Sequence, residues 1–384
     1  MLYIRPGSQV WQLITLLSFV GEYPVRSLHL LGNERVYKAL VHKLTTVQIY
    51  RLPQTDLTME TRLLTVTGKA NGKTIRLYKS ALPILDWIHP DAYRYYMDAF
   101  WSHRFPGDAA HWERNHRVAE AAAMFISAGV EAQPYLLPHL QNREILRTVP
   151  ETPCFYLAKD IKKVGGVEMN KTMFTRMVGA FFCSSEAYAV YNTRDAVMKW
   201  SGKGEFKALH SLIEIGRLNA GLHTVTSAIL FGESGSVALN TLVESDHTKR
   251  MEFRFDSIYR HIYFIPMNEY GIRQLKILSV PDWNEKLLDL LFEPDIRTYD
   301  KGLFEYDAFT EGVYVFSHLD SDLARLIRFR EAIRHQTGRF EVLCFPHQMP
   351  LLREYLGRLV TLKTIDMDLV ESELGPDRRS FFER

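Results

Sequence analysis

Glu205, Phe206 and Lys207 form an E-x-K triplet, and Asp195 lies upstream of it. Residues of these types could hydrolyse a phosphodiester: two carboxylates hold Mg²⁺, and a lysine two positions beyond the second poises the attacking water. That chemistry needs the groups on neighbouring strands. Gly202 and Gly204 flank the triplet and predict a loop, and three-residue matches recur by chance. The later run VALNTLVES, read as a strand, carries Asn240 and Glu244 where an acidic pair would be required. A nuclease-like body would therefore be inactive. Mg²⁺ enters only with the alternative of an active nuclease, whose candidates are Glu205 and Lys207; no other cofactor is expected.

Other reactive residue types give less. His103, His111 and His116 lack the spacing of a zinc motif, and no H-E-x-x-H occurs, so they read as surface or interface histidines. Asp320-Ser321-Asp322 follows a predicted strand, a position that suits either a ligand site or a cap on the next helix, and capping is the better reading. KKVGGVEMNK lacks the P-loop frame. Cys154, Cys183 and Cys344 are far apart and odd in number, which excludes a disulfide framework and fits a reducing cytoplasm. The apolar run Leu13–Val20 is too short to span a bilayer. The aromatic group Trp87, Tyr93, Tyr95, Tyr96, Phe100 and Trp101 could stack single-stranded bases, but its helical spacing reads better as core or a dimer seam.

The stronger signal is charge. The net charge of +2 conceals a segment, residues 1–80, with eleven Lys/Arg and four acids, hence +7, against −5 for the remainder. A basic head on a mildly acidic body suggests a polyanion-binding end. Asn33, Arg35, Lys38, His42 and Lys43 fall in one helical segment, LGNERVYKALVHKL. Lys69, Lys73 and Arg76 fall around an Asn-Gly turn. Long basic side chains on an otherwise docked helix can reach guanine edges and phosphates in a major groove, and a basic hairpin can meet phosphates beside it.

The elements that must position these residues follow from periodicity. Ser8 caps a helix ending at Gly21, in which Val10, Leu13, Ile14, Leu17 and Val20 share a face. Val25–Leu31 makes about two turns. Asn33 caps a helix whose buried stripe is expected to be Val36, Leu40 and Leu44 with Tyr37 and Val41. Val47–Tyr50 is a strand, and Arg62–Thr67 and Thr74–Tyr78 make a hairpin. Helices followed by a basic hairpin is the order of a winged helix-turn-helix. HWERNHRVAEAAAMFISAG is a helix stopped by Gly129. CFYLAKDIK, GAFFCSSEAYAVYNT, SAILFG, SVALNTLV, HIYFIPM and QLKILSV are strand-like. The end of the chain alternates strand and helix over GVYVFSHL, SDLARLIRFREAIRHQTG, RFEVLCF, QMPLLREYLGRL and VTLKTID, the pattern of a parallel sheet.

These parts resemble the replication-relaxation proteins of Gram-positive plasmids and integrative conjugative elements. The likeness rests on Leu30-Leu31-Gly32, Arg35, Leu40 and Leu44, on His116-Arg117-Val118-Ala119-Glu120-Ala121, and on the late unit GVYVFSHLDSDLARLIRF. It is firmest over the first 130 or so residues. The resemblance implies DNA binding in the replication or transfer of a mobile element, with an inactive nuclease-like body.

The expected fold is α+β: a winged helix-turn-helix over residues 1–80, a helical connector or dimerisation element over 81–132, and a linker over 133–153. An α/β domain over 154–375, taking the form of a degenerate restriction-endonuclease-like core, and a frayed tail over 376–384 complete it. The expected partners are double-stranded DNA and a second copy of the chain, with no membrane, in the cytoplasm. The alternatives are a Mg²⁺-dependent nuclease and a protein-binding adaptor.

Overall fold

The computed structural model describes residues 2–51, 57–100, 105, 109–130, 132, 153–164, 176–183, 186–197, 203–217, 221–222, 225–247, 257–299 and 305–374. The expected linker, apart from Pro153, the tail, His103, Trp101 and most of KKVGGVEMNK lie outside these residues. The fold is mixed α+β with several sheets.

After the short strand β1 (Leu2–Tyr3), Ser8 accepts the Trp11 N–H at 3.3 Å and starts α1 (Gln9–Val20), which buries Leu13, Ile14, Leu16, Leu17, Phe19 and Val20. Gly21 ends it at φ +80°, where a Cβ would lie 2.5 Å from the Phe100 ring. β2 (Glu22–Pro24), a 3-10 helix (Val25–Leu31) and α2 (Glu34–Leu44) follow. The Asn33 carboxamide oxygen caps α2, accepting N–H bonds from Arg35 (3.1 Å) and Val36 (3.3 Å). Tyr37, Val41 and Leu44 are buried and Leu40 partly so, but Val36, expected inside, is 44% exposed. At about 100° per residue the buried stripe centres on Tyr37 and Val41, and Val36 falls to its side.

β3 (Gln48–Arg51) pairs in parallel with β1 and antiparallel with β4 (Thr58–Thr61), a strand the sequence reading missed. β5 (Leu64–Thr67) and β6 (Thr74–Leu77) form the expected hairpin. β2 joins it in a three-stranded antiparallel sheet of order β2-β6-β5 among the described residues. Gly68 turns the hairpin at φ +82°, and a Cβ there would lie 2.2 Å from the Gly72 carbonyl oxygen. Gly68→Ala is expected to cost about 1–3 kcal/mol, read as a lower Tm; an unchanged Tm would show that this backbone conformation is not required.

α3 (Leu82–Ile88) and α4 (Pro90–Ala99) carry the aromatic run. Tyr95 and Tyr96 are buried within the chain, and Tyr95 donates to Asp160 at 2.7 Å, whereas Trp87 is exposed. α5 (Ala109–Ser127) is the central strut: Ala119 and Ala121–Phe125 are buried by the chain itself. The Phe125 ring packs on Phe155, Phe181 and Phe231 at centroid distances of 4.4, 5.0 and 5.6 Å.

The body begins with β7 (Cys154–Leu157), α6 (Ala158–Val164), β8 (Met177–Cys183), β9 (Glu186–Arg194) and α7 (Lys203–Ile215). β10 (Ser227–Gly232), α8 (Gly235–His247) and β11 (His261–Pro266) complete a sheet of order β11-β10-β9-β8-β7 among the described residues. β8 runs antiparallel to both of its neighbours, β7 and β9, while β9, β10 and β11 run parallel. Alternate residues enter two cores: Phe155, Phe181, Tyr188, Val190 and Phe231 face α5, and Tyr156, Ala180, Ala189 and Leu230 share a core with α7 and α8. Covering both faces explains why these strands read as unbroken apolar runs.

Two expected strands are helices, and CFYLAKDIK is a strand only as far as Leu157, its second half forming α6. SVALNTLV lies in α8, which buries Val237, Ala238, Thr241, Leu242 and Ser245 at helical spacing; QLKILSV lies largely in α9 (Glu269–Leu278), capped by Asn268. α10 (Trp283–Leu291) leads to β12 (Ala308–Thr310), β13 (Val313–Ser317), α11 (Leu323–Ile333), β14 (Arg339–Cys344), α12 (Met349–Leu356), β15 (Thr361–Thr364) and α13 (Met367–Leu374). β13, β14 and β15 are parallel, as the alternation predicts, and β12 adds an antiparallel edge.

The two larger sheets meet at Asp322. Its carboxylate caps α11 through the N–H groups of Ala324 (2.9 Å) and Arg325 (3.2 Å), and it also accepts from Ile262 N–H (3.0 Å) and His261 Nδ1 (2.7 Å) beside β11. Arg325 is buried with it, bonded to Asp307 and Asp320, each at 2.7 Å. The residues read as a capping pair thus divide: Asp322 caps, and Asp320 holds Arg325.

Candidate nucleic-acid interface

One side of α2 stays free of the core. Asn33, Arg35, Val36, Lys38, Ala39, His42 and Lys43 are all exposed. The capping bonds use the Asn33 side-chain Oδ1 and leave its side-chain N–H₂ group outside them. Lys38 pairs with Glu34 at 2.6 Å, one helical turn away, and this cation holds the Glu34 carboxyl below its ordinary range. Water screens such an exposed pair, so Lys38 can exchange partners readily. Among the described residues Arg35 and Lys43 make no ion pair.

The hairpin presents a second basic group. Lys69 and Lys73 are exposed at its turn, without ion pairs among the described residues. Val25 N–H donates to the Lys73 carbonyl at 2.9 Å, which ties the hairpin to the 3-10 helix immediately before α2. This brings exposed Arg26, which sequence reasoning missed, close to Lys73. The signal available was its place in the basic head, two residues after Pro24.

Arg76 is placed differently from the expectation. It lies in β6 and not at the turn, bonded through Nε (3.0 Å) and a terminal nitrogen (2.6 Å) to buried Glu22, its cross-strand neighbour. Its guanidinium also stacks 4.2 Å over the Phe105 ring. Burial pushes the Glu22 carboxyl up, against the pull of Arg76. Arg76 therefore holds the sheet together, and the exposed basic set is Arg26, Arg35, Lys38, Lys43, Lys69 and Lys73, with His42.

The E-x-K triplet lies on a helix. Glu205 and Lys207 lie near the start of α7, where residues two apart are turned about 200° from each other around the helix. Glu205 is buried, 3.4 Å from Arg176, and Lys207 is exposed. The two side chains cannot converge on one ion. Asp195 is exposed in the turn after β9, and Asn240 and Glu244 lie on α8. Among the described residues no group of three His, Cys, Asp or Glu is placed to hold a metal ion. His111 is exposed and His116 buried, its pKa pushed down to about 3 by burial first and then by Arg194, Arg26 and Arg76.

A buried polar constellation does exist, where β9 ends against α5. The polar triplet there is Asn192-Thr193-Arg194. Arg194 grips the Glu120 carboxylate with Nε (2.7 Å) and a terminal nitrogen (2.9 Å), and its other terminal nitrogen bonds Glu113. Asn192 donates to the same carboxylate at 3.2 Å and to the Arg117 carbonyl at 3.0 Å. Ser27, from the 3-10 helix, donates to Glu120 at 2.6 Å.

Among the described residues no helix is long and apolar enough to cross a membrane. The three cysteines are buried, and none of them is in a disulfide. Comparison of the chain with family models, curated proteins and solved structures finds no match in any of the three.

Proposed function

We propose that the chain binds double-stranded DNA through a winged helix-turn-helix, with α2 in the major groove and the β5–β6 hairpin as the wing. The observation that carries this reading is the exposed basic face of α2 beside a basic hairpin turn on the same small unit. In this reading Asn33, Arg35, Lys38, His42 and Lys43 face base edges and phosphates, exposed Val36 and Ala39 offer apolar contact to thymine methyls, and Lys69 and Lys73 meet the backbone. The +7 charge of residues 1–80 supplies the sequence-independent attraction.

The body supports this function without catalysis in our reading. The order α5, β7, α6, β8, β9, α7, β10 resembles a restriction-endonuclease-like core with a helix inserted after its first strand, and in this reading Asn192 and Arg194 stand at the end of β9 in place of a metal-binding pair. The likeness of Leu30–Leu44 and His116–Ala121 to replication-relaxation proteins favours a role in the replication or transfer of a mobile element.

Fluorescence anisotropy of a labelled random-sequence duplex, across about 50 to 300 mM salt, tests the reading. Neutralising about five phosphates gives a slope of log K against log salt near −4.5. Absence of binding at the lowest salt would refute it.

A further inference from the structure

We infer that Glu120 is a positioning residue for DNA reading: held by Arg194 and Asn192, it fixes the 3-10 helix through Ser27 and so sets where α2 sits. This inference rests on the DNA-binding reading above. Glu120 is 1% exposed, and its two oxygens receive four side-chain bonds, two from Arg194 and one each from Asn192 and Ser27. Three of these come from the end of β9 in the body and one from the segment that leads into α2.

The end of β9 is shaped to make this grip. Arg194 sits at φ +55°, a conformation that residues with a Cβ rarely adopt, and the Asn192 side-chain oxygen accepts its N–H at 3.1 Å. The Arg194 carbonyl accepts the Glu233 N–H at 2.8 Å, and the pairing of β9 with β10 shifts register at this point. A strained, bulged strand end that places a buried guanidinium on one carboxylate is an outlier that asks for a role.

The connection to α2 is short. Ser27 donates to Glu120, and its own carbonyl accepts the Tyr23 hydroxyl at 2.6 Å. Ser127 of α5 donates to the Leu30 carbonyl at 2.7 Å, pinning the far end of the same 3-10 helix. Gly32 and the Asn33 cap follow at once. The 3-10 helix is thereby fixed at both ends to α5. Ser27 and Glu120 are buried and cannot touch DNA, so their effect on binding must pass through the orientation of α2.

Ser27→Ala in the full chain removes the link while leaving the Glu120–Arg194 pair intact. With a labelled duplex at about 100 mM salt, binding is expected to weaken roughly 10-fold, because only part of the population holds α2 in its reading position. The salt slope stays that of the wild type, since no phosphate contact is lost. Ser27→Thr, which retains the hydroxyl, restores most of the affinity, and amide exchange over residues 25–31 accelerates in Ser27→Ala alone. Wild-type affinity in Ser27→Ala overturns the inference, as does a salt slope that falls along with affinity. If the wild-type chain itself binds no duplex, the DNA reading falls and takes this inference with it.

Discussion

Replacing Arg35 and Lys38 together by glutamate is expected to weaken duplex binding about 1000-fold. Each contact to a base edge or phosphate is worth roughly 1–3 kcal/mol, and reversal adds repulsion from the backbone. The sum, about 4 kcal/mol, corresponds to three decades. Both side chains are exposed on α2 and outside its core of Tyr37, Val41 and Leu44, so the fold should be retained within about 0.5 kcal/mol. The change at Lys38 replaces its exposed pair with Glu34 by a like-charge contact, which water screens. Circular dichroism and Tm check the fold, and anisotropy checks binding. Undiminished affinity in a folded variant would remove α2 from the interface. Arg76→Glu would be a poor substitute for this experiment, because it would leave buried Glu22 facing another carboxylate and damage the sheet itself.

The second large effect is on stability. Asp322→Ala is expected to cost about 3–5 kcal/mol, since it leaves the N–H groups of Ile262, Ala324 and Arg325 without their acceptor and His261 and Arg325 without its charge. Burial pushes the Asp322 carboxyl up, but the His261 hydrogen bond and charge, then Arg325 and the backbone N–H of Ile262, together hold it below its ordinary 3.8. A depressed folded-state pKa contributes stability that is present above the unfolded value and lost as the pH falls through the folded one. The wild type should therefore lose this contribution below about pH 3.8, and Asp322→Asn should be flatter there. Denaturant unfolding of the three proteins from pH 3 to pH 7 measures this. An Asp322→Ala chain as stable as the wild type would show that the cluster does not join the two sheets.

How much of this could be read in advance depended on the kind of signal. The strand–helix alternation from Val313 to Thr364 was legible because each segment has its own period and clear turns, and the parallel pairing of β13, β14 and β15 followed. The hairpin at Asn71-Gly72 was legible from turn chemistry. SVALNTLV and QLKILSV were misread because short apolar runs carry no decisive period; length and the capping Asn268 would have favoured a helix for the second. Val36 was misassigned by assuming an apolar stripe one position off.

The site divides in the same way. The exposed basic residues of α2 were legible from a local pattern, since an amphipathic helix states its own free face. The role of Arg76 was not, because it depends on pairing with Glu22 across the sheet, 54 residues away in the chain. Arg194 and Glu120 are 74 residues apart, and only the fold brings them together. Two hints were present: a lone glutamate within the alanine-rich turns of α5, and a polar Asn-Thr-Arg closing an apolar strand. The E-x-K triplet misled because sequence spacing alone does not say whether residues share a strand or turn around a helix.

The most direct test of the central claim, that α2 lies against duplex DNA, is photocrosslinking from a benzophenone side chain placed at Ala39, exposed on α2 between Lys38 and Leu40, with the same group at exposed Leu359 as the control. We predict crosslinks to the duplex from position 39 that salt abolishes, and none from position 359. A chain that binds duplex DNA yet crosslinks equally from both positions, or only from 359, would contradict the account.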